Sequence, residues 1–345
     1  MRTILTALLA FAAGVLAMLA VQHGRLPRST VPHAQVLTAQ PAAPATVLPP
    51  PDETQAETAP GDDWPEQAPT PEQVIYAQPQ RLGQALAQLR PRVPGKPNLY
   101  LLAFASDGSE DVFRNEAEYA AHLFTQRFGP SAHALVLENH PDTLATRPLA
   151  TWSNLEFALD GLAKRMDPQH DILLLYLTSH GSEDHSLLVD MDPLPLDQIG
   201  AEDLGAILKA RPFKWKVVVV NACYSGGFVP PLRGNGTLVI TAARADRSSF
   251  GCGNDSAATY FGRAWLIDAL NRTSDFVAAF RQASGEVATW ERQDHLLASE
   301  PQIDIGPGIA GQLSKWQAGI RLGPPVPFSP ATTPVALQKK AAASR

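Results

Sequence analysis

The stretch KWKVVVVNACYSGG, Lys214 to Gly227, decides how the rest of the chain is read. Four consecutive valines, Val217 to Val220, are too short a run for a helix and too uniformly apolar for a half-exposed edge. They predict a central strand buried on both faces. Asn221, Ala222 and Cys223 follow at once, and Ser225, Gly226 and Gly227 then force a turn. The Cys223 thiol is therefore expected just beyond the carboxyl end of a buried strand, where open α/β sheets bind their ligands.

A second β-rich run, DILLLYLT from Asp171 to Thr178, delivers Ser179, His180 and Gly181 at its own carboxyl end. If the two strands are parallel neighbours, His180 and Cys223 share one rim of the sheet. A free thiol titrates near ~8.5 and is mostly protonated at neutral pH, so an adjacent imidazole that takes its proton turns it into a nucleophile. Read singly, Cys223 is a small core residue and His180 a turn residue. Their matching positions at two strand ends point instead to a nucleophile and its base.

The same residues resemble the clan of caspases, gingipains and legumain, and most closely the legumain (asparaginyl endopeptidase) family, which also contains the catalytic subunit of the GPI transamidase. Thr178-Ser179-His180-Gly181-Ser182 is similar to legumain's Thr-Asp-His-Gly-Ser, and Ala222-Cys223-Tyr224-Ser225-Gly226 to its Ala-Cys-Glu-Ser-Gly. Thr241-Ala242-Ala243 followed by Ser248-Ser249-Phe250-Gly251-Cys252 resembles its Thr-Ala-Ala and Ser-Ser-Tyr-Ala-Cys. The likeness extends over about residues 97 to 310. It implies a caspase-like three-layer α/β/α fold around a mostly parallel sheet of about six strands.

The order of elements agrees with that expectation. Strands are predicted over residues 98–105, 132–138, 171–178, 186–190, 217–220 and 236–242, with helices over 114–128, 152–166 and 201–210 between them. Such alternation builds a parallel sheet covered by helices on both faces. Two further helices over 259–270 and 275–290 precede an edge strand at Pro301 to Ile305, where proline is tolerated.

Outside this region the composition changes. Residues 4–21 are an apolar run after Arg2, long enough at ~1.5 Å per residue to cross a ~30 Å hydrocarbon core. We read residues 1–25 as a signal anchor or a cleaved signal peptide, the length of the run favouring the anchor. Residues 26–71, rich in Pro, Ala, Thr and acids, read as a disordered linker, and 72–96 as a helical lead-in interrupted by Pro79. The peptidase-like domain then spans 97–318, and 319–345 read as a disordered tail. The protein is thus expected to be membrane-anchored with its domain extracytoplasmic, or secreted if the leader is cleaved.

With a net charge of −6 the chain has no basic field to attract nucleic acid. Two cysteines make no disulfide framework, although a Cys223–Cys252 pair would consume the nucleophile. No His-x-x-x-His or Cys-x-x-Cys spacing supports a metal, no glycine-rich nucleotide loop is present, and no cofactor is expected. Glu183, Asp184, His185, Asp190 and Asp192 read as a solvated loop, and His122, His133, His140 and His170 as surface or capping residues.

The resemblance implies a peptide or protein substrate, attacked by Cys223 with His180 as base, and the N–H groups of Gly181 and Cys223 as oxyanion donors. Hydrolysis, transfer to an amine, and a catalytically inactive binding module all remain open. Phe113-Arg114-Asn115-Glu116-Ala117 resembles legumain's Tyr-Arg-His-Gln-Ala, which makes Arg114 the counterpart of the arginine in its asparagine pocket. Val112 replaces the asparagine that partners legumain's catalytic histidine. Asn221 and Arg263 replace the two acids of that pocket. An inward Arg263 beside Arg114 would favour cleavage after Asp or Glu, whereas an outward Arg263 would leave the pocket unselective.

Overall fold

The computed structural model describes residues 64–253 and 256–330. The leader expected over 1–25, most of the linker and residues 331–345 lie outside the described residues. Among the described residues no helix is long and apolar enough to cross a membrane.

Eight strands alternate with helices: α1 (Pro71–Tyr76), α2 (Gln78–Ala87), β1 (Leu99–Ala105), α3 (Asp111–Arg127), β2 (Ala132–Glu138), α4 (Trp152–Ala163) and β3 (Ile172–Thr178). They continue as β4 (Ser186–Leu187), β5 (Ile199–Gly200), α5 (Ala201–Lys209), β6 (Trp215–Asn221), α6 (Val229–Leu232) and β7 (Thr237–Thr241). A short α7 (Tyr260–Gly262) runs into a π-helical segment (Arg263–Ala269), followed by α8 (Phe276–Gln293), β8 (Gln302–Ile305) and α9 (Ile309–Ala318). Six strands form one sheet in the order β2-β1-β3-β6-β7-β8, parallel except for the antiparallel edge strand β8. The expected parallel sheet of about six strands is the one observed, and β4 with β5 forms a separate two-stranded ribbon.

The strand pleat sorts side chains to two faces. Leu99, Leu101 and Ala103 of β1 join Val217 and Val219 of β6 in a core closed by α3, α8 and α9. Tyr100, Leu102 and Phe104 join Val218 and Val220 in a second core closed by α2, α4 and α5. All four valines are fully buried, as expected of a central strand. Helix α3 begins three residues before its predicted start, at Asp111, because the extended Glu110 precedes it and an acid opens its first turn. Pro79 sits at the start of α2 rather than breaking a helix, a position where a missing N–H costs nothing.

Two boundaries differ from the sequence reading. Residues 64–70, assigned to the linker, pack on the domain: Trp64 and Ala68 lie against a cluster of Val74, Leu144, Leu149, Met191 and Leu194. Thr70 then opens α1 with a complete capping box to Gln73. Residues 319–330, assigned to a disordered tail, instead strap α3. Val326 is buried, its carbonyl accepts from the Tyr119 hydroxyl at 2.8 Å, and Phe328 meets the Tyr119 ring edge-on. Composition averaged over a Pro-rich window hides a few anchoring side chains of this kind. His133 is also buried rather than exposed, stacked on Tyr100, and burial lowers its pKa to about 4.

Glu138, at the end of β2, is fully buried, and neither carboxylate oxygen accepts a hydrogen bond. Burial, reinforced by Glu118 and opposed by Arg147, raises its pKa from 4.5 to about 7. An acid whose pKa is higher in the folded state loses stability as pH rises from the unfolded value through the folded one. Glu138→Gln is therefore expected to match the parent near pH 4 and to exceed its stability above pH 7 by about 3 kcal/mol. Urea unfolding across that pH range measures the difference.

Candidate active site

β3 and β6 are parallel neighbours with Thr178 opposite Asn221. The residues that leave them, Ser179-His180-Gly181 and Ala222-Cys223, therefore emerge on the same rim, as the two apolar runs implied. The Ser179 N–H reaches the Asn221 carbonyl at 3.4 Å. A Cβ on Gly181 would lie 2.2 Å from the Cys223 carbonyl oxygen, so only glycine lets the two turns approach this closely. The His180 turn is fixed from its other side, its carbonyl accepting from Leu188 N at 3.0 Å. Beyond Cys223 the chain reverses through Tyr224 in the left-handed region, with φ of 55°. The Tyr224 N–H donates to Arg247 at 2.7 Å, drawing the segment after β7 over the cysteine.

That segment supplies the thiol's nearest partner. The Ser249 N–H donates to Cys223 Sγ at 3.2 Å, and Sγ lies 3.5 Å from the Ser249 carbonyl oxygen and 3.6 Å from its hydroxyl. Among the described residues neither the Gly181 nor the Cys223 N–H donates to a main-chain carbonyl. The His180 ring lies edge-on to Phe113 with centroids 5.2 Å apart, and its Nε2 faces two carboxylates, Glu110 at 3.2 Å and Asp107 at 3.6 Å.

Cys252 is a free, half-buried thiol. Burial raises its pKa to about 11, with smaller contributions from Cys223 and Glu110. A thiol held protonated at neutral pH is a poor nucleophile. Cys252→Ser is accordingly expected to keep more than about half of any peptidase activity, since it removes neither nucleophile nor base. Initial rates on one peptide substrate, beside a thermal melt, provide the check.

The residues assigned to a specificity pocket are not gathered into one. Arg114 is buried on α3, its Nη1 2.9 Å from Asp142 Oδ2 and 2.7 Å from His140 Nδ1. Asn221 is 1 % exposed and turns beneath the rim instead of lining a cavity. Arg263 points to solvent, its guanidinium 5.7 Å above the Trp290 ring and its Nε 3.8 Å from Asp268. It starts the π-helical segment on the outer side, so the two-guanidinium pocket required for acidic selectivity is not formed.

Under the rim lies a group that the motifs did not single out. Glu116 of α3 is fully buried and accepts five hydrogen bonds. Tyr176 and Thr178 of β3 donate at 2.8 and 2.7 Å, Asn221 of β6 at 2.7 Å, and the Thr259 N–H and hydroxyl each at 2.8 Å. Gly262 makes room for it, because a Cβ there would lie 2.0 Å from Glu116 Oε1. Burial raises the Glu116 pKa, and the Thr178 and Thr259 donors oppose the shift. A signal for it existed in the sequence. The resemblance sets a glutamine of legumain at the Glu116 position and a glutamate at the Asn221 position, so that acid and amide stand exchanged here.

The Peptidase C13 family model matches residues 160–312, which include the His180 turn, the Cys223 turn and the segment that covers the thiol. No curated protein matches the sequence. Among solved structures the chain is similar to the crystal structure of caspase-1 from Spodoptera frugiperda, at 13% identity, covering 62% of this chain and 88% of that one with a TM-score of 0.42. The family match thus takes in both turns of the shared rim, and over residues 160–312 the chain is similar to the cysteine peptidases of the Peptidase C13, or legumain, family.

Proposed function

We propose that the protein hydrolyses peptide bonds through a Cys223–His180 dyad. The observation that carries this reading is the pairing of β3 with β6, which sends the imidazole and thiol turns out on one rim with Gly181 against the Cys223 backbone. In the proposed reaction His180 takes the thiol proton and Cys223 Sγ attacks the carbonyl carbon. The Gly181 and Cys223 N–H groups receive the negative charge that develops on oxygen. The C–N bond breaks as the imidazolium proton passes to the leaving amine, leaving a thioester. Water, losing a proton to His180, attacks the thioester; the C–S bond breaks and the acid product departs.

The test is labelling of the purified protein by an electrophilic peptide probe, with the modified residue located by mass spectrometry. Labelling at Cys223 that disappears in His180→Ala is expected, together with cleavage of at least one member of a peptide library. Labelling at Cys252 alone, or equal labelling with and without His180, would sink the dyad. Cleavage products carrying an added amine in place of water would identify transfer as the reaction.

We further propose that residues 4–21 hold the protein in a membrane, on the strength of their length and apolarity, and that the domain faces an extracytoplasmic space. Deleting residues 1–25 should move the protein from the membrane to the soluble fraction. Full-length chain found soluble with its first residues intact would refute the anchor.

A further inference from the structure

We infer that the paired carboxylates of Asp107 and Glu110 are the positioning group for His180, taking over from the asparagine whose place Val112 occupies. The inference rests on the dyad reading above and adds to it a specific orienting device. Val112 is 1 % exposed and apolar, so it offers the ring nothing. The two carboxylates reach the ring from the loop between β1 and α3 instead.

Their hydrogen bonding points to the imidazole. Asp107 Oδ2 and Glu110 Oε2 are both buried and neither has a hydrogen-bond partner, yet each faces His180 Nε2, at 3.6 and 3.2 Å. A buried carboxylate oxygen left without a donor is costly, and the Nε2–H is the donor at hand. The other Asp107 oxygen is already committed, accepting from the Ser109 N–H at 2.8 Å and the Ser109 hydroxyl at 2.6 Å. This fixes the free oxygen toward the ring. The loop itself is pinned to the segment after β4: Ser106 Oγ donates to Leu188 O at 2.7 Å, Gly108 N to Asp190 O at 3.0 Å, and Asp190 N to Ser106 O at 2.8 Å. Leu188 also holds the His180 carbonyl, so ring and carboxylates are built on one frame.

The chemical consequence concerns which nitrogen does the work. A proton held on Nε2 by carboxylates leaves Nδ1 as the nitrogen that receives the thiol proton, and the negative charge favours the imidazolium that results. The other ionisable groups around this cluster are Asp190, whose backbone bridges to Asp107, and Asp192 and Cys252. Burial, then the charges of Asp107 and Asp192, raise the Asp190 pKa. Asp107 and Glu110 are thus the carboxylates in ring contact.

The test uses the full chain in a Cys252→Ser background, with iodoacetamide as the probe of Cys223 across pH 4–10. The parent is expected to alkylate at Cys223 at pH 6, and His180→Ala to lose most of this low-pH reactivity. Asp107→Ala/Glu110→Gln should lower the rate at pH 6 by about 30-fold. Asp107→Asn, whose amide oxygen still accepts from Nε2–H, should recover part of it. On a peptide substrate found by library profiling, the double variant should lose about 100-fold in kcat with KM nearly unchanged, and the alkaline limb of its pH profile should move to lower pH. If His180→Ala loses the low-pH reactivity while the double variant keeps it, the positioning role is overturned and the dyad stands. Low-pH reactivity surviving in His180→Ala would overturn the dyad, and this inference with it. Should Asp107→Ala fail to fold, Glu110→Gln alone and Asp107→Asn/Glu110→Gln carry the comparison, with a smaller expected loss.

Discussion

Cys223→Ala and His180→Ala are each expected to lower peptide cleavage by at least about 1,000-fold and to leave the fold in place. The size of the effect follows from the proposed reaction, in which Sγ forms the thioester and the imidazole takes the thiol proton and returns it to the amine. The stability cost is smaller. Alanine at 223 deprives the Ser249 N–H of its acceptor, a loss of about 1 kcal/mol for one hydrogen bond at a half-buried site. Alanine at 180 removes a ring about one-third exposed, but it strands the buried oxygens of Asp107 and Glu110, for about 1–3 kcal/mol. Cleavage rates read beside thermal melts separate the two kinds of effect. A folded variant retaining a tenth of the parent rate would show that the rim has another nucleophile or base.

Glu116 carries the largest expected effect on stability. It joins α3 to both strands of the active rim and to Thr259 at the entry of α7, through five donors that have no water to turn to. Glu116→Ala leaves those donors around a cavity and is expected to cost about 4 kcal/mol or more. Glu116→Gln keeps the size but puts an NH₂ against groups that are themselves donors. The Thr259 N–H and the Asn221 amide cannot rotate a proton away as hydroxyls can, so a loss of about 2 kcal/mol is expected even for this near-isostere. Chemical denaturation measures both. Loss of activity should track loss of stability in these variants, because Glu116 touches neither turn's reacting atoms. Glu116→Gln folding as stably as the parent would show that the carboxyl is held protonated and already presents a donor of its own.

The parallel sheet and the shared rim were legible because they depend on runs of apolar residues ended by sharp turns. Val217 to Val220 and Ile172 to Thr178 announce buried strands whatever surrounds them, and His180 and Cys223 follow by simple counting. Side-chain direction was not legible. Arg263 follows a Tyr-Phe-Gly triplet as legumain's aspartate follows its own, but the turn of the π-helical segment sends its guanidinium over Trp290. Asp107 and Glu110 were invisible for a different reason. They lie in a loop with no periodicity, and they meet His180 only because β1 and β3 are adjacent in space, some seventy residues apart in sequence. Helix α9 was not anticipated at all, although it buries Ile309 and Trp316 completely.

The strap formed by residues 319–330 bears on how this enzyme wears out. It grips α3 at two levels, with Arg127 Nη1 donating to the Gly323 carbonyl at 2.6 Å near one end and Tyr119 held by Val326 and Phe328 half-way along. Helix α3 also carries Arg114 and Glu116 at its other end. A chain clipped after Ala318 would therefore expose the Tyr119 ring and leave the Arg127 guanidinium short of an acceptor, loosening the helix that underpins the active rim. Erosion from the carboxyl end would then act as a slow inactivation, reaching the chemistry through a helix rather than through the substrate cleft.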